Sequence, residues 1–208
     1  MKLKTIAAIA LFSASTVVSA QWYGAASGGS STTSIKNSDI GVGTAGVTTS
    51  SVSKNESSSG YKLQLGYQFN PHFAVEGGYV DLGKFKGTNN TSTPAGSLSN
   101  EMSATGWNAT AVGLLPMSEK FIALGKAGLL LSSAKYDLST TGSMTTGSMP
   151  RSGSKSDINL IYGLGLQYNL NKTLAFRAEF ETFTDIRGGD SVEKRDVVLY
   201  SAGLIVKF

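Results

Sequence analysis

Val197-Val198-Leu199-Tyr200-Ser201-Ala202-Gly203-Leu204-Ile205-Val206-Lys207-Phe208 ends the chain. Counting back from Phe208, every second residue is apolar or small: Val206, Leu204, Ala202, Tyr200 and Val198. Side chains alternate across a strand, so the other face carries Lys207, Ile205, Gly203, Ser201 and Leu199. A soluble sandwich strand shows the same alternation. The aromatic residue that closes the run is what points to a membrane β-barrel.

Upstream, the same period-two test finds seven more strands, bounded by turn residues. Gln21 to Ser27 is short and carries Trp22 and Tyr23. Gly60 to Phe69 sets Tyr61, Leu63, Leu65, Tyr67 and Phe69 against Lys62, Gln64, Gly66 and Gln68. Phe73 to Leu82 sets Phe73, Val75, Gly77 and Tyr79 against Ala74, Glu76, Gly78 and Val80. In Ser103 to Leu115, Trp107 shares a face with Ala109, Ala111, Gly113 and Leu115. Phe121 to Ser132 is ambiguous, because Ile122 and Leu124 share a face with Lys126. A lysine facing lipid costs about 2–4 kcal/mol at the bilayer midplane, so Lys126 sets the parity and points inward. Asp157 to Tyr168 and Leu174 to Phe183 alternate cleanly, the latter with Arg177, Glu179 and Glu181 all on one face.

The connections alternate in length. Gly28 to Ser59 supplies about 32 residues between the first two strands, and the later long connections run to about 20, 24 and 13. Asn70 to His72, Pro116 to Lys120 and Asn169 to Thr173 are tight turns. Short turns at one end and long loops at the other are expected of an outer-membrane barrel with both termini in the periplasm. Pro71, Pro94, Pro116 and Pro150 all fall in turns or loops, where a missing N–H breaks no ladder. Backbone groups left unpaired in hydrocarbon cost several kcal/mol each, so the sheet must close; eight strands give a bore that side chains can fill. The expected fold is all-β, an eight-stranded antiparallel up-and-down transmembrane barrel.

Met1 to Ala20 reads as a cleaved secretory signal, with Lys2 and Lys4 ahead of Ile6 to Phe12 and small residues at Val18-Ser19-Ala20. The alternative is a short buried helix; the run is too short to cross a bilayer as one. The barrel domain is then residues 21–208. Absence of cysteine removes disulfides, thiolate metal sites and lipid attachment through cysteine. Two of the 18 Lys and Arg lie in the signal, leaving 16 against 14 acidic residues in the remainder. That balance, without a clustered basic face, gives no reason to expect nucleic acid.

With the strands placed, the chain resembles the small transmembrane-barrel family typified by the membrane domain of outer membrane protein A. Trp22-Tyr23-Gly24, Ala74 to Gly83, Phe176-Arg177-Ala178-Glu179-Phe180 and the terminal aromatic strand carry the resemblance over essentially all of 21–208. It implies an interior plugged by paired charges, with Glu76 and Arg177 as a pair and Lys126 and Glu179 nearby. It further implies that Tyr200, Leu204, Val206 and Phe208 form the strand that the outer-membrane assembly machinery recognises. Val112 and Gln167 depart from the family by standing where a second charged pair would sit. Members that anchor to peptidoglycan do so through an additional periplasmic domain, and the reading places none in 21–208.

Other features point away from catalysis, so no enzyme activity and no cofactor or metal is expected. The single histidine, His72, lies in a tight turn, and the loop serines have no partner base. Asp185 to Asp190 reads as a charged, glycine-bent loop before it reads as a cation or receptor motif. Asn89-Asn90-Thr91 and Asn55-Glu56-Ser57 match short glycan-acceptor patterns of the kind that recur in polar loops. Trp22, Tyr67, Phe69, Phe73, Tyr168 and Phe180, with Phe208, are expected at the two membrane interfaces, where amphipathic rings anchor.

Three functions fit. A monomeric structural and surface-interaction barrel would contact outer-membrane lipids and lipopolysaccharide and show its loops to a host or phage ligand. A narrow channel would be gated by Glu76 and Arg177. A secreted lipocalin-like binder would turn the apolar faces inward.

Overall fold

The period-two runs lie in the computed structural model as strands that pair antiparallel, each with the next. The structure describes residues 20–43, 46–143, 152–187 and 194–208; the leader and Pro150 lie outside them. The strands are β1 (Gln21–Thr33), β2 (Thr48–Asn55), β3 (Ser57–Asn70), β4 (Phe73–Thr93), β5 (Ala95–Pro116), β6 (Phe121–Gly142), β7 (Ser152–Asn169), β8 (Leu174–Ile186) and β9 (Arg195–Lys207). Eight of them close a ring, β1-β3-β4-β5-β6-β7-β8-β9, and the terminal strand completes it against the first from Tyr23↔Lys207 to Thr33↔Val197. No strand of the ring is left with an open edge along its membrane portion, as a spanning sheet requires.

The parity set by Lys126 holds around the ring. Lys126 is buried with Leu124 and Leu130, whereas Leu129, Leu131, Leu160, Leu164 and Leu166 of β6 and β7 stand exposed on the outer wall. This apolar belt faces outward, which excludes the lipocalin-like arrangement with apolar faces turned in.

The sequence reading ends several strands too early. β4 and β5 run to Thr93 and from Ala95, where Leu82 and Ser103 had been the expected limits, and β6 continues to Gly142. The long connections are therefore largely β-ribbon. The belt ends on the level of Tyr79, Trp107, Leu131 and Ile158, which sit side by side in register. Beyond that level the outward residues are Lys, Ser, Thr, Asn and acids, so no apolar face remains to reveal a strand, although the backbone ladder continues. Gly28 to Ser59 is likewise not one free loop. Its ends belong to β1 and β3, and its middle contains β2, which extends the sheet along β4 from Asn55↔Lys86 to Thr48↔Thr93. A bulge between Asp81 and Lys84 bends β4 where the ribbon leaves the ring.

Inside, the bore is layered. Near the tight turns Tyr23, Ala74, Val112, Leu114, Leu124, Ala175 and Ile205 pack together. Towards the long strands a larger apolar cluster includes Val80, Leu82, Phe85, Met102, Leu130, Ile161, Phe183 and Leu199. Each fully buried side chain of this size contributes about 1.5–3 kcal/mol relative to exposure. Between the two clusters lies a layer of charge.

Candidate functional site

Six ionisable side chains meet in that layer: Lys62 from β3, Glu76 from β4, Lys126 from β6, and Arg177, Glu179 and Glu181 from β8. All are buried. Each sits at an inward position of a strand whose other face meets lipid, so the alternation itself delivers them to one place. β4 and β8 lie four strands apart in a ring of eight, so the contact between Glu76 and Arg177 crosses the full bore.

The pairing is dense. Arg177 Nη1 donates to Glu76 Oε1, and Lys126 Nζ lies 2.7 Å from Glu76 Oε2 and 2.5 Å from Glu179 Oε1. Lys62 Nζ lies 2.6 Å from Glu179 Oε2 and donates also to Glu181, which stands 3.5 Å from Lys126. Three cations face three carboxylates. Taking such charges out of water costs several kcal/mol per ion, and only complete pairing with further hydrogen bonds offsets it.

Neutral partners supply those bonds. Gln167 accepts from Arg177 Nε at 3.2 Å and Nη2 at 2.9 Å. The Tyr23 hydroxyl donates to Glu76 Oε1 at 2.8 Å, and the guanidinium carbon of Arg177 lies 5.6 Å from the Tyr23 ring centre. Apart from the ions, the inward amides of Gln64 and Asn108 bond each other, Gln64 donating at 3.3 Å. Tyr23 fits because Gly66 is opposite: a Cβ there would fall 2.1 Å from the tyrosine ring.

The structure thus brings Glu76, Arg177, Lys126 and Glu179 together and adds Lys62 and Glu181 as full members of the cluster. Tyr23 and Gln167 are the functional residues missed. Tyr23 had an available signal, its opposite parity to the lipid-facing Trp22, but the strand around it is short on contrast. Gln167 is read from sequence as a missing charge, whereas in place it is the acceptor that completes the shell of Arg177.

The aromatic residues form two sets. At the turn end Trp22, Tyr67, Phe69 and Phe73 follow one another with ring centres 4.9, 4.8 and 5.8 Å apart, and Tyr168 pairs with Phe121 at 4.9 Å. Tyr79 and Trp107 pair at 5.5 Å at the other edge of the belt. Phe180 stands at mid-strand, because β8 continues to Ile186, and packs on Tyr200 at 5.1 Å. Leu204 and Val206 face outward, and the Phe208 N–H donates to the Trp22 carbonyl at 3.0 Å.

The remaining candidates are structural in their surroundings. His72 Nδ1 lies 3.3 Å from the Leu114 carbonyl in its turn. Arg187 pairs with Asp157 at 2.9 Å and Lys194 with Asp185 at 3.2 Å, Ile186 is buried in the inner apolar cluster, and Gly188 to Asp190 of the motif lie outside the described residues. Asn89 is fully buried and so cannot accept a glycan, whereas Asn55 is exposed. Among the described residues no three His, Cys, Asp or Glu side chains converge as metal ligands.

The model of the OmpA-like transmembrane domain matches residues 18–208. No curated protein matches the chain. Among solved structures, Neisserial surface protein A (NspA) is similar at 16% identity, with 90% of this chain and 97% of that chain covered and a TM-score of 0.53. The attachment invasion locus protein Ail of Yersinia pestis, solved in complex with the heparin analogue sucrose octasulfate, is 16% identical over 90% of this chain and 99% of that one, with a TM-score of 0.48.

Proposed function

The chain belongs to the OmpA-like transmembrane domain family and is an outer-membrane β-barrel, and from that premise we propose that it is a closed, monomeric barrel with a structural and surface-interaction role. The tight turns and both termini lie in the periplasm, and the ribbon of β2, β4, β5 and β6 stands outside the cell, where a host or phage ligand would meet it. A cleaved leader over residues 1–20 would deliver it there.

The observation that carries this reading is the filled bore. A water path would have to cross the ionic layer and also the apolar clusters on either side of it. The layer itself has one feature in favour of gating, since Lys126 lies within reach of Glu76, Glu179 and Glu181 and so offers each carboxylate a second partner. A channel gated by Glu76 and Arg177 is the second reading. Planar-bilayer recording on the refolded protein separates them. The closed barrel gives no conductance steps, whereas steps that change when Arg177 is neutralised would replace it with the channel.

Two partners follow from the same placement. Just beyond Tyr79 and Trp107, Lys84 and Lys135 occupy one outward row with Ser103 between them in register, and Lys86 stands one step further along β4. Cations at headgroup depth attract phosphate, each contributing about 1 kcal/mol near an anionic surface, which fits the phosphates of lipopolysaccharide. The aromatic set at the turn end would hold the opposite interface. Tyr200, Leu204, Val206 and Phe208 give the assembly machinery an outward apolar strand ending in an aromatic residue.

A further inference from the structure

Between β1 and β2 the chain does not stand away from the barrel. Residues 34–43 fold inward through a short 3-10 turn, Asn37–Ile40, and Ile40 is fully buried. The contact is close: a Cβ on Gly87 of β4 would fall 2.7 Å from Ile40 Cγ2 and 3.2 Å from Ile35 Cγ2. Ile35 packs on the apolar cluster that fills this end of the bore. The segment therefore covers the inner wall of the ribbon where that wall meets the mouth of the ring.

We propose that residues 34–43 are a latched lid, held shut by Asp39 and Arg195, that opens to uncover the apolar inner wall of the ribbon. Arg195, at the start of β9, donates to the Asp39 carboxylate and to the Ser34 carbonyl, tying the lid to the strand that neighbours β1 in the ring. Further ties run from Lys54 Nζ to the Ile35 carbonyl at 2.5 Å, from the Ile35 N–H to Glu56 Oε1 at 2.8 Å, and from Asn100 Nδ2 to the Asp39 carbonyl at 3.3 Å.

Asn89 is fully buried on the same inner wall, and wetting a polar side chain held there favours opening. Burial of Ile35 and Ile40 opposes opening, so the ion pair between Asp39 and Arg195 decides the balance. What the lid conceals is a concave apolar surface, with Phe85, Met102 and Tyr136 around a small cavity beside Asp39 and Arg195.

Trypsin reports the opening, because Lys36 lies within the lid and is exposed, while a protease needs several residues of locally free chain around the bond. The full-length protein in detergent micelles is digested, and cleavage after Lys36 is timed by mass spectrometry. Cleavage is slow in the parent protein and about tenfold faster or more in Arg195→Gln and Asp39→Asn. The reversed pair, Asp39→Arg with Arg195→Asp, restores slow cleavage. A parent protein cut as fast as the single variants overturns the lid, and a reversed pair that stays fast overturns the latch. An unchanged mobility shift on boiling shows that the ring is intact in each variant. A second measurement stands apart from any loss of folding. Asp39→Cys with Arg195→Cys, joined by a short bismaleimide that spans the length of the arginine side chain, should resist cleavage after Lys36, and a joined protein cut as fast as the single variants overturns the lid.

Discussion

Tyr23 and Glu76 sit 53 residues apart in sequence and meet in the bore, where the phenol donates to the carboxylate at 2.8 Å. The tyrosine belongs to the apolar cluster near the tight turns and the glutamate to the ionic layer. Their bond fastens one layer of the interior to the next. Tyr23→Phe keeps the ring and the apolar contact while removing the donor. A hydrogen bond to a charged group is worth about 1.5–3 kcal/mol, so the variant should lose stability in that range, read as a lower midpoint in urea unfolding followed by gel mobility.

Arg177 tests whether the ionic layer is a plug. Arg177→Met leaves Glu76 with Lys126 and Tyr23 but frees Gln167, and breaking a buried pair by removing one member costs about 3–5 kcal/mol. Glu76→Gln with Arg177→Met should cost less than the sum of the two single changes, because no charge is then stranded. The midpoints of the three variants check this. Bilayer recordings on the same proteins should stay silent, since the apolar clusters are unchanged.

Phe208 donates its N–H to the Trp22 carbonyl at 3.0 Å, near the point where the last strand meets the first. Deleting Phe208 is expected to lower the amount of heat-modifiable protein in the membrane, by removing both this contact and the proposed assembly signal. Refolding of the purified variant in detergent separates the two. Normal refolding with poor assembly in cells locates the loss in recognition, and an unchanged amount in cells would sink the assignment.

Lys84 is 3.1 Å from Glu101, and Lys135 shares its row without an acidic neighbour in register. Lys84→Gln with Lys135→Gln should weaken co-migration with lipopolysaccharide on native gels by roughly thirtyfold, from about 1 kcal/mol for each of the two cations at a phosphate surface. Added salt should shrink the difference. Equal co-migration of parent and variant would remove the row as a phosphate contact.

The membrane portion was legible because lipid imposes a strict rule. Leu160, Leu164 and Leu166 had to share a face, and Lys126 had to leave it, so parity and the inward set followed from spacing alone. Pairing across the bore was only partly legible. Glu76 and Arg177 came from a family likeness, while Lys62 and Glu181 were visible as inward charges without a partner assigned. Outside the belt the rule lapses. Thr88, Ser99 and Ser139 meet water on an outward face, and nothing in their polarity distinguishes a continuing strand from a loop. Ile35 and Ile40 were isolated apolar residues in a Ser- and Thr-rich stretch, too few to define a period, and their burial depends on a ribbon not itself foreseen.

An eight-stranded ring has no preferred side, but this one acquires a compass bearing. β4, β5 and β6 climb well past the level where β1, β8 and β9 end, at roughly 3.3 Å per residue, so the rim is a cliff on one flank and a shelf on the other. A barrel turning in the plane of its membrane thus presents two different profiles to whatever approaches sideways. Neighbours crowding the tall flank would hide it, while those crowding the low flank would leave it in view. The accessibility of this surface is set by the company the barrel keeps as well as by its own height.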